Sequence, residues 1–304
     1  MRALRIRRSA TPAEATLPTV AVLTMARDEA EMLPRWVRHY GDQVGVQNLI
    51  VLDDNSVDGS TDELGCTVHR LPKLPGRGFE LARMDLMSGL AQGLLACYDF
   101  VVFVDVDEFL IPDPDRYAGL PEFLAARADR DVIAPMTLNL VHHVHAEGAL
   151  DLDQPVLGQR RFAKFIPIMC KPSVKRVPAA WLWASHGIRA PFEVDPELFM
   201  VHLKFYDREA LRRVATHRRR MVDTDGRAAK SNWSRDAEEM VAMLEEFVGG
   251  SDPAAVPEFD PRQVDLSTIV QPKGDAFRAV GQGQVQAMAK VPLWRVPDRL
   301  LGRL

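Results

Sequence analysis

Cysteine is scarce in this chain. Its 304 residues contain three, Cys66, Cys97 and Cys170, odd in number and far apart. That excludes a disulfide scaffold and a clustered cysteine zinc site, and it suits a reducing compartment. Long apolar runs are also missing. The longest, such as residues 100–104, fall far short of the ~18 residues a transmembrane helix needs. The first ten residues carry Arg2, Arg5, Arg7 and Arg8, but no apolar stretch follows them, so no secretory signal is expected. Nor is there an excess of positive charge. Lys and Arg number 38 against 42 Asp and Glu, a net −4, which is not the charge of a dedicated nucleic-acid binder. No internal repeat or low-complexity block occurs. What remains is 47% hydrophobic and 26% charged residues, ordinary for a globular protein. The length is enough for one large domain or two small ones, with a core that needs no staple.

Residues 1–17 read as a flexible basic leader, with contact to an acidic surface as the alternative. Residues 19–24 form a short apolar, β-branched run, the mark of a buried strand. Leu33, Trp36, Val37, Tyr40 and Val44 then recur at helical spacing, with Arg35 and Arg38 on the opposite face and Pro34 in the first turn. A second apolar strand at 48–52 stops at Asp53-Asp54-Asn55-Ser56-Val57-Asp58-Gly59. A weak strand at 66–70 and a Pro/Gly-rich connector at 72–78 precede a helix over 80–95. The strand at 100–104 again ends in acid, Asp105-Val106-Asp107-Glu108. Alternating strands and helices predict an α/β fold with a mostly parallel sheet covered on both faces. Ligands bind such sheets at the carboxyl ends of the strands, where both acidic clusters lie. Further on, the pattern predicts a helix at 120–128, one or two strands within 131–144, and helices at 207–220 and 234–247.

Asp105 and Asp107, two apart on a chain leaving a strand, point to one side. Converging carboxylates at an open site suit a hard divalent cation, Mn²⁺ or Mg²⁺, though a solubilising loop or helix cap is the plainer alternative. Asp53 and Asp54 could accept hydrogen bonds from a base or ribose, or build an Asx-turn with Asn55 and Ser56 in which Gly59 supplies a left-handed position.

These residues resemble a known family. Thr24-Met25-Ala26-Arg27-Asp28-Glu29 followed by residues 36–40 looks like the opening of family 2-like glycosyltransferases. Residues 52–60 resemble that family's Asp-Asp-x-Ser-x-Asp-Gly turn, and residues 103–110 its Asp-x-Asp-Glu-Phe metal motif. Over about residues 18–205 the resemblance implies the GT-A fold, a Rossmann-like nucleotide-diphospho-sugar transferase sheet, with residues 206–304 as a helical and irregular extension. It implies that Arg27, Glu29, Asp53, Asp54 and Arg83 meet the nucleotide. Asp105 and Asp107 would hold the metal, with His202 as third ligand and Lys204 on the diphosphate. A metal and a nearby cation stabilise the charge on the departing diphosphate, while the acceptor hydroxyl needs a general base, an Asp or Glu in inverting members. Glu108, Glu193 and Asp195 are the candidate bases, each with a plain structural alternative. His186 is a further catalytic candidate that would otherwise cap a turn.

Other features point less sharply. His142, His143 and His145 lack a fourth ligand at zinc spacing. Trp181 and Trp183 serve either a sugar ring or the core. The run 217–220 reads as a solvated helix end or an anionic-polymer contact, and Gly76-Arg77-Gly78 is too short for a phosphate loop. The expectation is a metal-dependent transferase moving a sugar from a nucleotide-sugar donor, a uridine one by preference, to a glycan or other hydroxyl acceptor, with no nucleic acid involved. A nucleotidyltransferase on a similar sheet and a non-catalytic nucleotide- or glycan-binding scaffold are the alternatives. The expected location is cytoplasmic, with peripheral membrane contact through the termini, residues 291–295 included, as a further possibility.

Overall fold

The structure is a computed structural model that describes residues 16–72, 78–226, 234–281 and 283–304. The expected leader therefore lies almost wholly outside the described residues, as does most of the 72–78 connector. The first strand, β1 (Val20–Ala26), is buried at every position. Such continuous burial requires cover on both faces, which is why the run has no polar alternation. Helix α1 (Met32–Val44) follows, placing Met32, Leu33, Trp36 and Tyr40 against the sheet. Arg35, expected on the outer face, is also buried, with its guanidinium donating to the Leu304 carbonyl at 2.8 Å. Strand β2 (Leu49–Asp53), the exposed edge strand β3 (Thr67–Arg70), helix α2 (Phe79–Leu94) and strand β4 (Phe100–Phe103) complete the first half. β4, β1, β2 and β3 lie side by side and all parallel.

The second half extends this parallel block. β5 (Glu108–Pro112), α3 (Leu120–Ala125), β6 (Val132–Val141), the single turn α4 (Val156–Gln159), β7 (Phe162–Phe165) and β8 (Val174–Lys175) come in that order. β8 lies antiparallel between β4 and β6. After the small hairpin of β9 (Trp181–Leu182) and β10 (Gly187–Ile188), the long strand β11 (Glu193–Phe205) runs parallel to β6 and antiparallel to β5. The stretch at 131–144 is thus one strand, buried throughout.

Residues 206–304 carry the two expected helices, α5 (Arg208–Asp225) and α6 (Ala237–Val248). Asp207 caps α5, its Oδ1 accepting from the amides of Glu209 and Ala210 at 2.9 Å each, the satisfaction of first-turn donors that favours Asp at this position. This segment also supplies strands. β12 (Val270–Lys273) and β13 (Ala276–Ala279) join β10 and β9 in a second, four-stranded sheet. Beyond helix α7 (Gln284–Met288), β14 (Trp294–Arg295) adds to β7 at the edge of the main sheet. Lys164, on β7, holds the returning chain through the carbonyls of Met288 and Val291 at 2.7 and 2.9 Å. Among the described residues no helix is long and apolar enough to cross a membrane.

Candidate functional site

A cleft of about 850 Å³ opens at the carboxyl ends of β1, β2 and β4, the side on which open parallel sheets bind ligands. The chain leaves β1 into Arg27, Asp28 and Glu29, leaves β2 into Asp54 and leaves β4 into Asp105 and Asp107, and all six line it. Asp28 takes a left-handed conformation, φ +54°. It is held there by its amide, which donates to Ser56 Oγ at 3.0 Å, and by its carboxylate, which accepts from the Val57 amide at 2.7 Å. The ends of β1 and β2 are therefore pinned to each other.

Asp53 does not line the cleft. Its Oδ1 accepts from the Ser56 amide at 2.7 Å and its Oδ2 from Thr61 at 3.3 Å. It builds the turn in which Asn55 and Gly59 are left-handed, φ +63° and +79°, and Asp54 is the residue that turn presents.

Asp105 is the counter-ion of two buried cations. It pairs with Arg83 from α2 and with Lys171 Nζ at 2.9 Å. Burial alone would raise its pKa, but those two charges hold it well below the usual carboxylate range. Lys171 Nζ also lies 2.6 Å from Glu108 Oε1. Glu108 is buried beneath the cleft, its Oε2 accepting from the Asp105 amide at 3.0 Å. It thereby fixes the 105–108 turn and does not face the opening, so the base expected there sits behind the wall.

Asp107 faces His202 Nε2 at 3.5 Å and Arg218 Nη2 at 3.8 Å. Against the upward push of burial, the neighbouring His202 and the Arg218 guanidinium hold its carboxyl well below the ordinary range. The other ring nitrogen of His202 shares a 2.8 Å hydrogen bond with Asn139 Oδ1. Because a carboxamide oxygen only accepts, Nδ1 is the donor and Nε2 is left facing Asp107. Orientation by an outer oxygen is what metal-bound imidazoles use, so Asp107 and His202 fit a divalent ion, with one oxygen and one nitrogen donor. Asp105 is already engaged by its two cations. Among the described residues no three His, Cys, Asp or Glu side chains stand together as a metal-binding cluster.

The remaining candidates divide. Arg27 lines the cleft and donates to Asp225 at 2.7 Å. Lys204 lines it too, its pKa brought down to about 7 by burial and by Arg218. Glu29 is raised to about 7 by burial and by Asp107 and Asp105, against the pull of Arg218. His186 lines the cleft with Nδ1 bonded to the Ile168 carbonyl at 2.8 Å, and burial with nearby Lys171 lowers it to about 3; it is therefore a neutral imidazole. Glu193 and Asp195 are elsewhere. Glu193 is 74% exposed beside Arg130. Asp195 is fully buried and clamped by Arg127 at 2.6 Å and Arg130 at 3.2 Å. Asp195 pairs with Pro135 and His202 with Asn139, four residues apart on β6 and so roughly 13 Å at strand rise; neither Glu193 nor Asp195 lines the cleft, so neither is positioned as a base in it.

Three contributions escape the sequence reading. Lys171 joins Asp105 to Glu108, and no periodicity marks it. α5 forms a wall of the cleft through Ala210, Arg213, Val214, His217, Arg218 and Met221. Arg213 reaches Glu31 at 2.6 Å and His217 lies 3.8 Å from Asp28. The run 217–220 is thus split, with His217 and Arg218 facing the cleft and Arg219 and Arg220 exposed. The 210/213/214/217/218/221 spacing is the helical signal that could have found it. Arg278, on β13, completes the lining from the second sheet. Trp181 is core, buried with its Nε1 donating to the Pro172 carbonyl at 2.7 Å. His142 is buried with Nδ1 accepting from the Arg208 amide at 3.2 Å at the start of α5, and buried His143 packs on Phe162 of β7.

No family model matches the chain, and no curated protein does. Among solved structures it is similar to a mycobacterial protein at 24% identity and TM-score 0.28, over 43% of this chain and 44% of that one. It is also similar to a Pyrobaculum calidifontis mannosyltransferase in complex with GDP-Man and Mn²⁺, at 17% identity and TM-score 0.29, over 40% and 36%. A third likeness is to glucosyl-3-phosphoglycerate synthase from Mycobacterium tuberculosis, at 23% identity and TM-score 0.27, over 40% and 44%. The chain spans less than half the length of each.

Proposed function

We propose that this chain is a metal-dependent glycosyltransferase of the GT-A type, moving a sugar from a nucleoside-diphosphate donor, uridine by preference, to an acceptor hydroxyl, as the family 2-like motifs imply. One observation carries the reading. The end of β4 delivers Asp105 and Asp107 into a cleft that Lys171, Arg83, Lys204 and Arg218 also line. Carboxylates for a cation beside fixed cations for an anion are what a metal diphosphate requires.

Asp107 and His202 would hold the ion, which when bound supplies positive charge to the leaving diphosphate. Lys204 and Arg218 stand on the same wall to receive phosphate oxygens, and Arg218 is planar and permanently charged, suited to bidentate contact. Asp54 and Glu29 line the strand ends that would take the nucleoside. The displacement expected of such a site is inverting. None of the three proposed bases lines the cleft; of the catalytic candidates His186 does, and its neutral state leaves Nε2 an acceptor of hydrogen bonds.

The test is thermal unfolding with UDP, GDP and CDP, each with and without Mn²⁺, on the wild type and on Asp107→Asn. A ligand at one hundred times its dissociation constant stabilises by about 2.7 kcal/mol, a readily measured shift. One nucleotide stabilising only with Mn²⁺, and losing that dependence in Asp107→Asn, is the expected result. No shift with any nucleotide, or a metal-dependent shift that survives the substitution, would overturn the assignment.

A further inference from the structure

The hairpin joining β9 to β10 holds three consecutive non-glycine residues in the left-handed region, Trp183, Ala184 and Ser185, at φ +52°, +53° and +63°. Each such residue costs on the order of 1 kcal/mol or more, so a run of three persists only where the surroundings impose it. Here they do. β9 and β10 close the loop at Leu182 and Gly187, the His186 amide donates to the Trp183 carbonyl at 3.1 Å, and the Ser185 amide is directed at Met84 Sδ at 3.1 Å. Position 187 has to be glycine. A Cβ there would run into the Trp183 ring and come within 3.0 Å of the Phe277 carbonyl oxygen.

This strain places the Trp183 ring at the surface, 39% exposed, whereas Trp181 two residues earlier is 1% exposed. Two cations lie over the ring, Lys273 Nζ at 5.1 Å and Arg278 Cζ at 5.3 Å from its centroid. No carboxylate among the described residues pairs with either. Asp275, the one acid of the β12–β13 hairpin, sits 3.3 Å from Arg189 instead. Ala184, His186 and Arg278 are cleft residues, so the platform opens directly onto the candidate site.

We propose that this hairpin is the acceptor subsite and that the acceptor is a saccharide bearing an anionic substituent, a carboxylate or a phosphate. The exposed part of the Trp183 ring packs on the apolar face of a sugar, and the two cations over it, partnered by the ring and by no carboxylate among the described residues, select for negative charge on that sugar. The word acceptor rests on the glycosyl-transfer reading; the binding itself does not.

The experiment uses the full chain without nucleotide and titrates methyl glucoside, methyl glucuronide and glucose 6-phosphate by calorimetry, with UDP, GDP and CDP plus Mn²⁺ titrated separately. At least one anionic sugar binds, the neutral one at least about tenfold more weakly. The glucuronide and phosphate arms distinguish the two sources of charge. Lys273→Gln and Arg278→Gln erode the preference, Trp183→Ala weakens all binding, and Trp183→Phe restores part of it. Equal binding of neutral and anionic sugars, indifference to all four substitutions, or no binding up to ~10 mM would overturn the proposal. So would adsorption to anionic phosphatidylserine vesicles that needs Trp183 when no sugar binds. Sugar binding without any nucleotide binding would instead remove the glycosyl-transfer reading and leave the subsite.

Discussion

Asp195→Ala separates a structural acid from a catalytic one. Asp195 is fully buried and accepts from Arg127 at 2.6 and 3.5 Å, from Arg130 at 3.2 Å and from the Glu197 amide at 2.9 Å. Removing one partner of a buried ion pair costs ~3–5 kcal/mol. Here the cost is smaller, because the Arg127 and Arg130 side chains are 16% and 32% exposed and Arg127 keeps Glu197 at 2.7 Å. About 2–3 kcal/mol is expected, which for a chain of this size lowers Tm by roughly 4–12 °C. Asp195→Asn keeps an oxygen for the Glu197 amide and loses about half as much. Both variants retain nucleotide and Mn²⁺ binding within about twofold, since the cleft is too distant for direct coupling. Differential scanning fluorimetry and nucleotide calorimetry on the three proteins decide it. A Tm unchanged within about a degree, or a folded Asp195→Asn that no longer transfers sugar, would refute the structural role and return Asp195 to the list of bases.

Glu29 is raised to about 7 in the folded chain, chiefly by burial, so between its ordinary value and pH 7 the native state holds a proton that the unfolded state has released. Its contribution to stability therefore falls as pH rises from about 4.5 to 7, by up to about 3 kcal/mol. Urea titrations across that range should show the slope flattened in Glu29→Gln, and an unchanged slope would count against it. Lys171→Met leaves Asp105 to Arg83 alone and strips buried Glu108 of its cation, so a loss of about 3 kcal/mol is expected; a denaturation midpoint equal to wild type would contradict the bridge. Asp105→Asn takes one carboxylate from Arg83 and Lys171, leaving them Glu80 at 3.5 Å and Glu108 at 2.6 Å, so a nucleoside diphosphate should bind this variant more tightly than wild type when no metal is added, as read by calorimetry.

The parallel core was legible because burial on both faces imprints itself as unbroken apolar runs. β1, β2 and β4 are such runs, and the acids that follow them had to emerge at one edge of the sheet. The helical spacing of Leu33, Trp36 and Tyr40 was equally direct, but Arg35 shows its limit: a residue placed outward by periodicity is buried when a distant part of the chain, here Leu304, supplies its partner. Asp53 and Asp54 are adjacent, and only the hydrogen bonds of Ser56 and Thr61 decide which one faces the cleft. Asp195 looked like a loop acid because β11 is kinked, its register against β6 shifting between Asp195 and Phe199, so the apolar alternation that would mark a strand begins only afterwards. The strands at 270–279 are short and half exposed, and their pairing with the β9–β10 hairpin is a long-range fact that no local pattern announces.

The chemistry read into the strand ends changes character once the partners are known. As sequence, Asp105 and Asp107 are equivalent carboxylates awaiting a metal. In the fold they are not equivalent. Asp105 already neutralises two buried cations, whereas Asp107 faces a fixed imidazole nitrogen and an arginine from α5 at distances too long for strong hydrogen bonds. A diphosphate entering alone must compete with Asp105 for Arg83 and Lys171, and it meets the negative charge of Asp107. A diphosphate arriving with a divalent cation presents Asp107 and His202 with a partner and offers its remaining oxygens to Lys204 and Arg218. On the proposed reading the cleft would discriminate against the free anion and favour the metal complex, because Arg83 and Lys171 are already matched by Asp105 and Asp107 is the carboxylate placed to accept a metal.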